Sequence, residues 1–180
     1  NDNCSDATTI LFSAYNTSRC TRGATSQLCE NNETCEAGNV GTSRSVWWEY
    51  TPAVNGKISV DTNGSDYDTV LSIWNGCFFA VIFDGQLICL PAAQIACDDD
   101  GGVGLDSMLV DVPVRGGVTY RIKAAGYGTG NSGGDLEFHF NFSQCPADHN
   151  LDGVVSVPDI FAMLSDFFAG NLAADYDNSG

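Results

Sequence analysis

Short runs of alternating apolar and polar residues, cut at roughly ten-residue spacing by turn-forming clusters, fill the first 145 residues of this chain. Residue pairs two apart share a strand face, so each such run offers one face to a core. Val46, Trp48 and Tyr50 share a face, and so do Ile58 and Val60. The 70–74 run is apolar on both sides except at Ser72, as a central strand requires. Met108, Val110 and Val112 alternate, and so do Val118, Tyr120, Ile122 and Ala124. Leu136, Phe138, Phe140 and Phe142 point one way, while Glu137, His139 and Asn141 point the other. Clusters such as Asn75 with Gly76, Asp84 with Gly85, and Gly116 with Gly117 supply residues that tolerate tight turns. The pattern predicts an all-β domain over 1–145, a jelly-roll-like antiparallel β-sandwich. Residues 20–35 are polar, cysteine-rich and aperiodic, and read as a loop region pinned by disulfides.

Residues 146–180 form a different kind of segment, a small calcium-loop and helix tail. Oxygen side chains fall at positions one, three, five, nine and twelve of a twelve-residue stretch: Asp148, Asn150, Asp152, Ser156 and Asp159. Gly153 holds position six, where the turn is sharpest, and the carbonyl of Val154 is placed to be the seventh-position ligand. A hard dication takes six to eight oxygens, and this spacing lets one short segment provide them. Ile160, Phe161, Leu164, Phe167 and Phe168 then recur at helical spacing. Ser156 with Asp159 can cap that helix, Pro158 suits its first turn, and Gly170 can end it. The loop ends in Asp rather than Glu, no helix precedes it, and Val155 stands at position eight. In these respects 148–170 resembles a type I dockerin repeat. A second repeat opens with Asp175, Asp177 and Ser179 and stops at Gly180. The resemblance implies calcium as the cofactor and a cohesin-like protein as one class of partner.

Charge excludes several functions. Lys plus Arg number 7 and Asp plus Glu 23, a formal net charge of −16. Nucleic acid and anionic membranes need a basic footprint, so neither is an expected partner. No apolar run approaches the length of a membrane span. The chain begins at Asn1 and shows no charged-then-apolar leader, which points to a processed signal peptide and an extracellular protein. Eight cysteines, Cys4, Cys20, Cys29, Cys35, Cys77, Cys89, Cys97 and Cys145, occur with only two histidines and no CxxC spacing. They read as up to four disulfides in an oxidising compartment. Sequence does not choose among about 105 pairings. The pairs favoured are Cys77 with Cys97 and Cys4 with Cys145. Glycosylation sequons stand at Asn3, Asn16, Asn32, Asn63 and Asn141.

Four segments, 45–52, 61–72, 97–101 and 117–122, recur in an order that resembles the bacterial pre-peptidase C-terminal domain. They carry Trp47, Trp48, Glu49 and Tyr50, then Asp66, Tyr67, Asp68 and Thr69, then Cys97 and Asp98 to Gly101. The resemblance spans about residues 2–142 and implies a β-sandwich appended to secreted proteins, calcium-stabilised and without catalysis of its own. Asp66 and Asp68 on one turn and Asp98, Asp99 and Asp100 on another would make a second calcium site if the two turns meet. Alternation buries one of Trp47 and Trp48 and leaves the other for a sugar ring if the sheet has a wet face. His139 and His149 are expected to be solvated side chains, and a nucleophile–base–orienter set is not evident.

The function expected from sequence is a non-catalytic, calcium-binding structural module that self-associates into a surface structure, adhesin or filament. The alternative is a carbohydrate- or protein-binding accessory module of a secreted hydrolase, tethered through its tail.

Overall fold

The computed structural model describes residues 2–27, 29–30, 33–35, 41–77, 79–84, 86–90, 92–130, 132–144, 147–150 and 154–169. Eleven strands, one α-helix and a short 3-10 turn at Cys4–Asp6 are defined among them. The strands are β1 (Thr8–Thr9), β2 (Ala14–Cys20), β3 (Thr42–Tyr50), β4 (Gly56–Asp61), β5 (Thr69–Trp74) and β6 (Phe79–Phe83). They continue with β7 (Gln86–Leu90), β8 (Gln94–Asp98), β9 (Met108–Val114), β10 (Tyr120–Tyr127) and β11 (Asp135–Ser143), and α1 spans Val157–Phe168. A five-stranded sheet runs β1-β3-β10-β5-β8 and a four-stranded sheet runs β2-β11-β4-β9. Strands β6 and β7 form a separate hairpin. The chain is an all-β sandwich. Every pairing is antiparallel except that of β1 with β3.

The core lies where alternation placed it. Val46, Trp48, Leu71, Ile73, Ile122 and Ala124 face Ile58, Val60, Leu136, Phe138 and Phe140 across the two sheets. Trp48 stacks on Phe138, ring centroids 3.8 Å apart and planes within 6°. Flat stacking of two fully buried rings adds to the area they bury.

Strand β9 departs from the expected phase. Leu109, Val112 and Val114 are buried, whereas Met108 and Val110 are exposed. The register against β4 shifts between Ile58 and Val60, and Asp111 sits at φ +55°. A bulge inserts one residue and flips the faces on its far side. Alternation counted through that residue therefore assigns Met108 and Val110 to the wrong face.

The outer face of the five-stranded sheet is not wet, so neither tryptophan is left exposed: Trp47 and Trp48 are both 0% exposed. Thr25, Glu30 and Glu33 reach over that face as a cover. Trp47, Lys123 and Ser72 form a cross-strand row beneath it. Lys123 Nζ donates to the Glu30 carbonyl (2.9 Å), Glu33 Oε1 (2.6 Å) and Thr42 Oγ1 (2.9 Å). The Glu30 carboxylate accepts from Trp47 Nε1 (3.1 Å) and Ser45 Oγ (2.6 Å). The ammonium's three donors are thus satisfied, which a buried charge demands. A small second cluster of Cys4, Trp47 and Trp74 packs on the same face.

The disulfides fasten this cover. Cys4 bonds Cys77, Cys29 bonds Cys89, and Cys35 bonds Cys97. The expected pairs Cys77–Cys97 and Cys4–Cys145 are therefore wrong. The bridges join the N-terminal cover to the 77–97 region across separations of 60 to 73 residues rather than closing a local hairpin. Cys20 is free and exposed at the end of edge strand β2. Cys145 lies outside the described residues.

Candidate metal centre

The tail loop folds back on itself through one carboxylate. Asp159 Oδ1 accepts the Asn150 N–H (3.2 Å), while Oδ2 accepts the Ser156 N–H (2.7 Å) and the Ser156 hydroxyl (3.2 Å). The twelfth position is thereby brought beside the third and ninth. Asp148 and Asp159 are both buried, at 6% and 2% exposure. Burial pushes the Asp159 carboxyl up, but the bonds from Ser156 and Asn150 outweigh it and hold it below its ordinary value. The donor set suits a hard cation: carboxylates, an amide, a hydroxyl and a carbonyl. Asp152, Asp175, Asp177 and Ser179 lie outside the described residues.

Ser156 caps α1 and Pro158 sits in its first turn, as the sequence predicts. His149 is not a solvated side chain. Its Nε2 lies 2.8 Å from Asp166 Oδ2, tying loop to helix, and the ring is 7% exposed. His139 keeps an exposed side chain, as expected, with Nδ1 2.8 Å from Asp61 Oδ1. Ile160, Phe161, Phe167 and Phe168 are more than half exposed. An open groove of about 660 Å³, lined by Ala147, His149, Val155, Val157, Ile160 and Met163 among others, runs beside the loop.

A second acidic group forms at one end of the sandwich, where the turn after β4 meets the turn after β8. Ligand oxygens of Asp68, Asp99 and Asp100 lie within 4.8 Å of one another. Oxygens around one calcium at 2.3–2.6 Å are separated by at most about 5 Å, so the spacing fits. Asp68 Oδ1 is buried without a hydrogen-bond partner. An orphaned carboxylate oxygen on a residue beside two other carboxylates is what a cation would satisfy. Burial, with Asp99 and Asp100 adding to it, pushes the Asp68 carboxyl up to about 6.

The other two expected members have different partners. Asp66 pairs with Arg22 (2.8 Å) and accepts the Asp135 N–H (2.6 Å). Asp98 Oδ2 accepts the N–H groups of Gly101 (2.7 Å) and Met108 (2.8 Å) and so braces the turn. A Cβ on Gly101 would stand 2.6 Å from that carboxylate, which is why glycine is needed there. Of the sequons, Asn16 and Asn141 are exposed on neighbouring strands β2 and β11, Asn3 is half-buried, and Asn63 Oδ1 accepts the Val103 N–H (2.7 Å). Asn32 lies outside the described residues. The buried Lys123–Glu33 layer was not read from sequence. Its one signal was a lysine opposite a tryptophan inside an otherwise apolar strand.

This is a disulfide-stapled β-sandwich with an acidic cluster at one end and an acidic loop before α1. Residues 1–86 match a family model described as galactose binding domain-like and associated with T9SS. Among solved structures the chain is similar to the pre-peptidase C-terminal domain of a collagenase from Bacillus anthracis. Identity is 11%, with 77% of this chain and 95% of that one covered, at a TM-score of 0.37. No curated protein matches. The family match supports a non-catalytic accessory module of a secreted protein.

Proposed function

We propose that this chain is a non-catalytic, calcium-braced structural module of a secreted or cell-surface protein, working through contact with other protein rather than through chemistry. In this reading calcium sits in the 148–159 loop, held by Asp148, Asn150, Asp152, the Val154 carbonyl, Ser156 and Asp159. A second ion sits among Asp68, Asp99 and Asp100. The carrying observation is the closure of the tail loop by Asp159, whose carboxylate accepts from Asn150 and Ser156 and so brings the third, ninth and twelfth loop positions together. The exposed apolar face of α1 supports a protein partner, whether a second copy of the chain or a cohesin-like receptor.

The family match favours a second reading, carbohydrate binding. Against it, Trp47, Trp48 and Trp74 are all at most 2% exposed, so none offers a stacking face for a sugar.

Calcium titration of the chelator-treated chain by calorimetry, with native mass spectrometry to count ions, tests the proposal. Two bound ions are expected, with Asp159→Asn losing one and Asp68→Asn losing the other. A chain that takes up no calcium would remove the reading. Binding on a glycan array would move the second reading ahead.

A further inference from the structure

The two sheets of the sandwich end in β1, β8, β2 and β9, and three of these edges are closed to further pairing. Strand β1 has two residues. In β9 a register shift, Asp111 at φ +55° and Pro113 interrupt the outer side. Strand β8 shifts register against β5, and Gln94 and Cys97 tie it to Thr34 and Cys35. Shortness, bulges, proline and covering chain all keep a sheet edge from adding strands. Strand β2 has none of them. Its seven residues pair with β11 in one unbroken register, from Ala14 with Asn141 to Cys20 with Asp135.

The backbone sets which groups are left over. Phe142 N–H donates to the Ser13 carbonyl (2.6 Å) and Thr21 N–H to the Gly134 carbonyl (2.7 Å). These two bonds fix the phase of the antiparallel ladder, so odd-numbered residues of β2 turn their amides and carbonyls toward β11. Ala14, Asn16, Ser18 and Cys20 turn theirs outward, where no strand pairs with them among the described residues. Another extended backbone is the occupant that matches such a row.

Charge says which kind of strand. From Ala7 to Cys29 the chain has Arg19 and Arg22 and no acid, although it has 23 acids in all. Arg22 is taken by Asp66 and Asp135. Arg19 and Arg44 form no ion pair among the described residues, and the Nε of each is buried without an acceptor. They belong to one corner. Arg19 faces the same way as Thr21, and the Thr21 hydroxyl and the Arg44 stem both crowd the position that a Cβ on Gly133 would take. On the outer face Asp135 and Glu137 already stand beside β2, so an added carboxylate fits on the inner side, with the two arginines. The β2 strand of a second copy would bring another Arg19 and no carboxylate, so the added strand is foreign.

We propose that the free edge of β2 takes up an extended segment of a different protein as an added antiparallel strand, with an Asp or Glu of that segment on Arg19 and Arg44. The proposal rests on the protein-contact reading above and requires no ion.

Amide exchange of the full chain, read residue by residue by NMR in chelator, tests it independently of the calcium sites. The probes are two peptides of about nine alternating Val and Thr residues, one with Glu near its N-terminus and one with Gln there. In the free chain Ala14, Asn16, Ser18 and Cys20 exchange fast, while Tyr15, Thr17 and Arg19 are protected. The Glu peptide at about 1 mM protects the first set and leaves the second as it was. Ser18→Pro removes one outward N–H and no bond to β11, and weakens binding about three- to tenfold. Arg19→Gln lowers the affinity for the Glu peptide about tenfold and leaves that for the Gln peptide unchanged. Outward amides already protected in the free chain overturn the proposal, as does a chain that binds neither peptide. Binding that protects other amides instead, or that Arg19→Gln leaves untouched, overturns it too.

Discussion

The sandwich and the tail handle the same two problems, charge and apolar surface, in opposite ways. All seven basic residues lie at or before Lys123, inside the sandwich sequence. Four of them are paired with acids: Lys123 with Glu33, Arg22 with Asp66 and Asp135, Arg121 with Glu49, and Lys57 with Asp111. Residues 146–180 contain six aspartates and no Lys or Arg. In the sandwich most large apolar side chains of both sheets meet in one core, whereas α1 leaves five of its large ones more than half exposed. The sandwich still carries 7 basic residues against 17 of the 23 acidic ones, but it buries a core of its own and folds on internal terms. The tail buries little of its apolar surface, and a helix of twelve residues is marginal without a surface to pack on.

The comparison can be broken hardest at Lys123. Lys123→Met leaves Glu33 buried without its cation and is expected to cost about 3–5 kcal/mol. In a domain of this size that lowers the melting temperature by about 10 °C, measurable by scanning calorimetry. An unchanged melting temperature would mean that the cover is not what holds the outer sheet face.

Replacing both Cys35 and Cys97 by Ser tests the fastening of that cover, with an expected loss of about 2–4 kcal/mol by denaturant titration. Tail stability in calcium should not change. Asp159→Asn sharpens the contrast from the other side. It should abolish the calcium dependence of tail helicity by circular dichroism while shifting sandwich stability by less than about 0.5 kcal/mol.

The smallest effect concerns pH. Asp68 titrates near 6 in the folded chain against an ordinary value of about 3.9. The folded state therefore binds more protons than the unfolded one between those values. Stability of the metal-free sandwich falls as pH rises from about 4 to about 6 and levels off above. Bound calcium favours the carboxylate and should flatten that slope. Thermal melts across this range, with and without chelator, measure both.

Local signals made much of this fold legible. Strands β3, β10 and β11 follow from alternation because their inner faces meet one core, and β5 follows from a run apolar on both faces. The Ser156 cap follows from positions within a dozen residues. What escaped the sequence depended on remote contacts. Trp47 alternates as a surface residue should, and only Glu30, Cys4 and Trp74 packed against it make it core. The disulfide partners of Cys4, Cys29 and Cys35 lie 60 or more residues away, with no local mark of which is which. The Asp111 bulge reverses β9 through one backbone angle. Strand β2 is nearly as polar on one face as on the other, being an edge strand, so alternation barely marks it.

Hydrogen exchange on the same sample with calcium and with chelator tests the dependence of the tail most directly. Amides of Val157–Phe168 should exchange at least about tenfold faster once calcium is removed, while those of β3, β5 and β10 keep their protection. Equal protection of the helix in both conditions would contradict the account, because its order would then owe nothing to a bound ion.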